Sequence, residues 1–193
     1  MSVRSVLQVH SAPPALCPHI EWAVAGILGV PVRLSWVDQP ASPGTLRAEL
    51  NWQGKPGESA AITSALAAWN RLRFEVTEEA SPGCDAVRYS YTPSLGTFSA
   101  VTSACGDVLV PEARLRAAMT LAAAGRPARA DGGQPDGEGV DSLVDLHGPR
   151  HPALGGSLED ELALLLGQPW DHELEPFRHA ADGAPVRWLH ATG

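Results

Sequence analysis

The sequence predicts an α+β fold whose first half is a ferredoxin-like βαββαβ unit, and three observations lead there. Apolar and polar residues alternate in four short stretches between Val3 and Val76, two stretches of helical spacing lie among them, and glycine or proline stands at most of the boundaries. The resulting order, β-α-β-β-α-β, is that of the split βαβ unit, in which both helices cover one face of a four-stranded sheet through right-handed crossovers.

The first strand is read from Val3, Leu7 and Val9, which alternate with Arg4, Gln8 and His10. A helix follows on Leu16, Ile20, Ala23, Val24 and Ile27, with Gly29 placed to stop it and Pro31 beyond. Val32, Leu34 and Trp36 then alternate with Arg33 and Ser35, and Leu46, Ala48, Leu50 and Trp52 with Arg47, Glu49 and Asn51; across the Pro40–Gly44 turn these are expected to pair as a hairpin. Ile62, Ala65, Leu66 and Trp69 supply the second helix, and Leu72, Phe74 and Val76 the fourth strand.

Beyond this unit the pattern predicts a second hairpin, Ala86–Tyr91 with Leu95–Val101, and a helix from Pro111 to Ala124 ended by Gly125. The core with these extensions is expected to span 1–124. The stretch 125–151 opens with glycines, two prolines and no large apolar side chain, the composition of a flexible linker. The segment 152–193 is expected to pack back on the core, with a helix capped by Ser157 and stopped by Gly167 and Pro169, a loop bearing Trp170 and Phe177, and a last strand at Val186–His190.

A chain of 193 residues suits one ordinary domain. Its net charge of −8 is regional: between Asp131 and Asp182 twelve acidic residues stand against Arg150 and Arg178 alone. Nucleic-acid binding calls for a basic stripe, which this distribution does not offer. Cys17, Cys84 and Cys105 are odd in number, widely spaced and without a C-x-x-C pair, so neither a disulfide framework nor a zinc knuckle is expected. With no leader-like N-terminus and no apolar run of spanning length, a cytoplasmic location with no membrane contact is the expectation.

No G-x-S-x-G, H-E-x-x-H, Walker loop or G-x-G-x-x-G occurs. Asp145, His147 and His151 have metal-ligand chemistry but sit in the glycine- and proline-rich stretch, where solvated loop histidines are the simpler reading. His10, Cys17 and His19 form a second trio that could serve a small enzyme, with Cys17 as thiolate and His10 as base. Cys17 also falls on the apolar stripe of its helix, where a buried thiol is the simpler reading. Catalytic residues, metals and cofactors are therefore not assigned.

More informative is the sheet face turned away from the helices, on which the alternation places Arg4, Gln8, His10, Arg33, Ser35, Arg47, Glu49, Asn51, Arg73 and Glu75. Four arginines on one face call for an anionic ligand, a second subunit or the acidic C-terminal segment. Arg4, His10, Arg33, Arg47 and Arg73, with Trp170 beside the acidic run Asp171, Glu173 and Glu175, are the candidate binding residues.

Several long words in the chain resemble an actinobacterial family of unknown function, domain family 3145: V-H-S-A-P-P-A-L-C-P-H-I-E-W from Val9, R-F-E-V-T-E-E from Arg73, G-D-V-L-V-P-E from Gly106, P-W-D-x-E-L-E-P-F-R from Pro169 and G-A-P-V-R-W-L-H from Gly183. The family carries no activity or catalytic residue to transfer. The resemblance implies association with type II fatty-acid synthesis, hence a regulatory or scaffold protein touching an acyl carrier protein or another subunit, with the acidic tail a competing lid over the arginines. A non-catalytic binding or regulatory protein is the leading expectation, followed by the small enzyme at His10, Cys17 and His19 and by a small-molecule sensor.

Overall fold

In the computed structural model, which describes residues 2–124, 157–179 and 186–189, the chain opens with β1 (Val3–Ala12), passes through a single 3-10 turn and enters α1 (Cys17–Leu28). It continues through β2 (Val37–Asp38), β3 (Leu46–Gly54), α2 (Glu58–Ala67), β4 (Arg73–Glu78), β5 (Ala86–Thr92), β6 (Gly96–Thr102), β7 (Val108–Leu109) and α3 (Glu112–Ala124). The last elements are α4 (Leu158–Leu166), α5 (Gln168–His179) and β8 (Val186–Leu189). The fold is α+β. One sheet runs in the order β2-β3-β1-β4-β5-β6-β7, each neighbouring pair antiparallel, and β8 joins β3 in parallel.

The inner face of the sheet carries Leu7, Val9, Leu50, Trp52, Phe74, Val76 and Tyr91 against Ile20 and Val24 of α1 and Ile62 and Leu66 of α2. Leu7, Ile20, Leu50, Ile62, Leu66 and Phe74 are fully buried, and each such side chain contributes about 1.5–3 kcal/mol of transfer free energy. Gly29 ends α1 in the left-handed region at φ 70°, with its N–H donating to the Ala25 carbonyl. The start of α2 is held from a distance: Glu78 of β4 accepts from the N–H of Gly57 at 2.9 Å and from the hydroxyl of Ser59 at 2.6 Å. A buried carboxylate thus satisfies the open end of a helix that has no local side-chain cap.

Two expectations need correction. Val32–Trp36 is not a strand; β2 is only Val37–Asp38. The N–H of Leu34 and the indole N–H of Trp36 both donate to Glu21 of α1, at 2.8 and 3.1 Å, so this segment's polar groups are spent on a helix side chain instead of a ladder. Glu21 lies buried, which raises a carboxyl's pKa, but its hydrogen bonds from Leu34, Arg33 and Trp36 outweigh that and hold it below its ordinary value.

The second correction concerns the loop expected after Gly167, which is helix α5. Pro169 sits in the first turn of α5, where its missing N–H costs nothing, and Pro176 lies in its last turn. Trp170, Leu174 and Phe177 recur at i, i+4 and i+7, a packing stripe. Ser157 starts α4 with a capping box, its hydroxyl accepting from the N–H of Asp160 while Asp160 accepts from the N–H of Ser157. The expected linker at 125–151, with Asp145, His147 and His151, lies outside the described residues.

Candidate functional site

The outer face of the sheet divides into two parts. Over β1, β4 and β5 lies α5, and at their meeting is Glu75, whose side chain is only 7% exposed. Its Oε2 stands 2.8 Å from His10 Nε2, which must carry a proton to donate to a carboxylate, and 2.8 Å from Arg178 Nε. Its Oε1 accepts from Arg178 Nη2 at 2.7 Å, Arg88 Nη2 at 2.8 Å and Ser90 Oγ at 3.2 Å. Asp171 closes the circuit by accepting from both Arg178, at 2.7 Å, and Arg88.

Burial alone would push the Glu75 carboxyl up, but the hydrogen bonds and charges of His10 and Arg178 win and hold it well below the usual carboxylate range. Desolvation would likewise lower the guanidinium pKa values of Arg88 and Arg178, and their carboxylate partners raise them instead. These shifts favour the ionised forms of Glu75, Arg88 and Arg178 alike. A β-bulge in β1 after Val9 leaves His10, Ser11 and Ala12 all buried in succession and sets the imidazole on Glu75.

A second set of contacts fixes the other side of α5. Glu173 accepts from Arg73 at 3.3 Å, from Thr92 Oγ1 at 2.9 Å and from Ser94. The Arg73 guanidinium also lies 4.9 Å from the centroid of the Phe177 ring. Gln39, buried before the turn into β3, donates to the carbonyl of His10 at 2.7 Å and to that of Phe177 at 3.4 Å, which ties the end of α5 to the start of the sheet.

Of the residues predicted from sequence, His10 and Arg73 lie under α5. Arg47 is on the same face and buried, with Nε and Nη1 lacking a hydrogen-bond partner among the described residues. Arg4 is exposed and 3.7 Å from Glu79, a pair of the kind that contributes little. Arg33 is not on this face, because its segment is not a strand; it bonds Glu21 of α1 at 2.9 Å. Trp170 is buried and donates its indole N–H to the Gly96 carbonyl at 3.0 Å. The trio His10, Cys17 and His19 is not brought together. Cys17 belongs to the inner core while His10 bonds Glu75 on the outer face, and His19 is exposed beside Trp69. Burial raises the Cys17 thiol pKa, with the nearby Glu21 charge adding to it, the reverse of what a nucleophile needs.

The other part of the outer face is not filled by the described residues. Between α3, α4 and the β6 stretch around Phe98 lies a cleft of about 400 Å3, within the size range of small-molecule sites. Arg114, Ala117, Ala118 and Leu121 of α3 line one wall at i, i+3, i+4 and i+7; Glu161, Leu164 and Leu165 of α4 line the other. Phe98 and Trp170 form the floor, their ring centroids 5.2 Å apart. Gly167, between α4 and α5, has φ 78°, and a Cβ there would stand 2.6 Å from the Phe98 ring, so a glycine both turns the chain and lets the aromatic floor come close. Sequence reasoning missed the cleft and Glu75's pivotal role alike. The only signal was the helical spacing on α3 and α4.

Fold and site together define an α+β protein with a charge-locked face and an apolar cleft beside it. The family model described as "Protein of unknown function (DUF3145)" matches residues 6–142 and 149–191, and the chain belongs to that family. No curated protein and no solved structure matches it. Among the described residues no helix is long and apolar enough to cross a membrane, and no group of three or more His, Cys, Asp or Glu stands together as a metal site.

Proposed function

We propose that this is a non-catalytic binding protein with a regulatory role, whose binding site is the cleft between α3, α4 and β6. The observation that carries the reading is an apolar cleft of about 400 Å3 with an aromatic floor, next to a charged region whose groups are bonded to one another. Binding without turnover is the behaviour of a small-molecule sensor, and the two descriptions merge at this site. A cytoplasmic setting belongs to the proposal and is supported by three free thiols, Cys17, Cys84 and Cys105. The first four strands with α1 and α2 form, in this proposal, a ferredoxin-like unit; the antiparallel order β2-β3-β1-β4 supports it.

A screen of small molecules by thermal shift tests the reading. Compounds that raise the Tm of the wild type but not of Ala117→Phe, which fills the cleft, support it; hits that shift both proteins equally move the site elsewhere.

A second reading is favoured by Arg47, buried with two guanidinium nitrogens unpartnered among the described residues. It keeps an acidic partner, an acyl carrier protein or another subunit of fatty-acid synthesis, on the arginine face. To reach Arg73 such a partner would have to displace α5. Exposing Trp170 and Leu174 would cost about 1.5–3 kcal/mol each before any ion pair is broken, so the cleft is the more accessible site. Carrier-protein binding lost on replacing Arg47 and Arg73 by glutamate, with the fold retained, supports this second reading; unchanged binding removes it.

A further inference from the structure

We infer that the cleft takes an amphipathic monoanion, a molecule with an apolar chain or ring and one carboxylate-like head. The inference rests on the reading of the cleft as the binding site and adds the class of ligand. Arg114 is the cation on the cleft's wall; it is exposed and, among the described residues, its guanidinium has no hydrogen bond or ion pair. Glu161 on the facing wall is buried and already has a partner. The unspent charge turned to the cleft is therefore positive, and a guanidinium pairs best with a carboxylate or a similar planar anion.

The apolar body follows from the rest of the lining. From Arg114 the α3 wall runs through Ala117 and Ala118 to Leu121, seven residues on and thus roughly 10 Å along the helix axis. Leu164 faces this wall and Trp170 lies at its foot, so the path offers small and apolar side chains along its length and charge at the Arg114 end. Ala118 is buried while Leu121 is 40% exposed, so the far end opens to solvent and does not limit the chain sharply. A neutral molecule of the same shape gains the apolar contacts and forgoes the pairing with Arg114. Because Arg114 is exposed, that pairing is expected to separate the two by about two- to fivefold.

The test is calorimetric titration of the full chain with decanoate and, in parallel, with decanol, repeated on Arg114→Gln and Ala117→Phe. Both substitutions fall at exposed positions of α3 and are expected to leave the melting temperature near that of the wild type. The inference predicts that decanoate binds the wild type about two- to fivefold more tightly than decanol, that Arg114→Gln removes the difference, and that Ala117→Phe abolishes both. Decanol binding as tightly as decanoate, with Arg114→Gln silent, would overturn the monoanion class and leave the cleft reading standing. Undiminished binding to Ala117→Phe would overturn the cleft reading itself. No decanoate binding to the wild type overturns the ligand class whatever the thermal-shift screen returns.

Discussion

The two halves of the outer sheet face solve the same problem in opposite ways. Over β4 and β5 the strand residues are Glu75, Arg88 and Ser90, and α5 meets them with Asp171 and Arg178, so every charge finds a partner. Over β6 the strand presents Phe98 and Ala100, which meet Trp170, Leu164 and the small side chains of α3. The polar half is filled; the apolar half leaves space. Directional bonds between long side chains can close an interface without close-packed surfaces, whereas alanine walls leave a cleft wherever nothing larger reaches in. The same helix, α5, belongs to both halves, which is why Trp170 can be a fixed floor.

The comparison breaks most severely at Glu75. Glu75→Ala removes the buried carboxylate shared by the half-buried Arg88 and Arg178, leaving Asp171 to both and Glu175 to Arg178, and should cost about 3–5 kcal/mol in urea unfolding. A loss under about 1 kcal/mol would mean the network is dispensable. Next in size is Leu174→Ala, a fully buried side chain of α5, expected to cost about 3 kcal/mol by the same measurement.

The pH dependence of stability sharpens the contrast. The folded pKa of Glu75 is lowered, so its contribution is present in full above the ordinary carboxylate pKa of about 4.3 and is lost as pH falls from there toward the lowered folded value. Unfolding at about pH 6 and about pH 3 should show a larger acid loss for the wild type than for Glu75→Gln. Equal losses would place the carboxylate outside the linkage.

Ser157→Ala, which removes the cap of the α4 wall, should cost about 1 kcal/mol. The smallest effect belongs to Ala117→Phe, which occupies open cleft space and should change stability by no more than about 0.5 kcal/mol. A larger loss would mean that the cleft is closed in solution.

The strands that were legible in the sequence are those whose alternation has a half-buried face to explain it: β1, β3 and β4 over the α1 and α2 layer, and the β5–β6 hairpin. Val32–Trp36 alternates equally well and is not a strand, because Glu21 captures the N–H of Leu34; a side chain from another element is invisible to periodicity. Helix α5 was obscured by its two prolines and its acids, although Trp170, Leu174 and Phe177 carry a helical stripe. Glu75 stands in the alternating pattern with no mark of its own, since its partner Arg178 lies 103 residues away. Nor does a helical stripe of Ala117, Ala118 and Leu121 say whether its facing wall closes on it. Volume between elements is a tertiary property.

Amide hydrogen exchange, measured with and without saturating decanoate, tests the central claim most directly. Protection gained across α3, α4 and β6, with β1, β4 and α5 unchanged, is the predicted result. Protection gained instead at β1, β4 and β5 under α5, or at none of these elements, would contradict it.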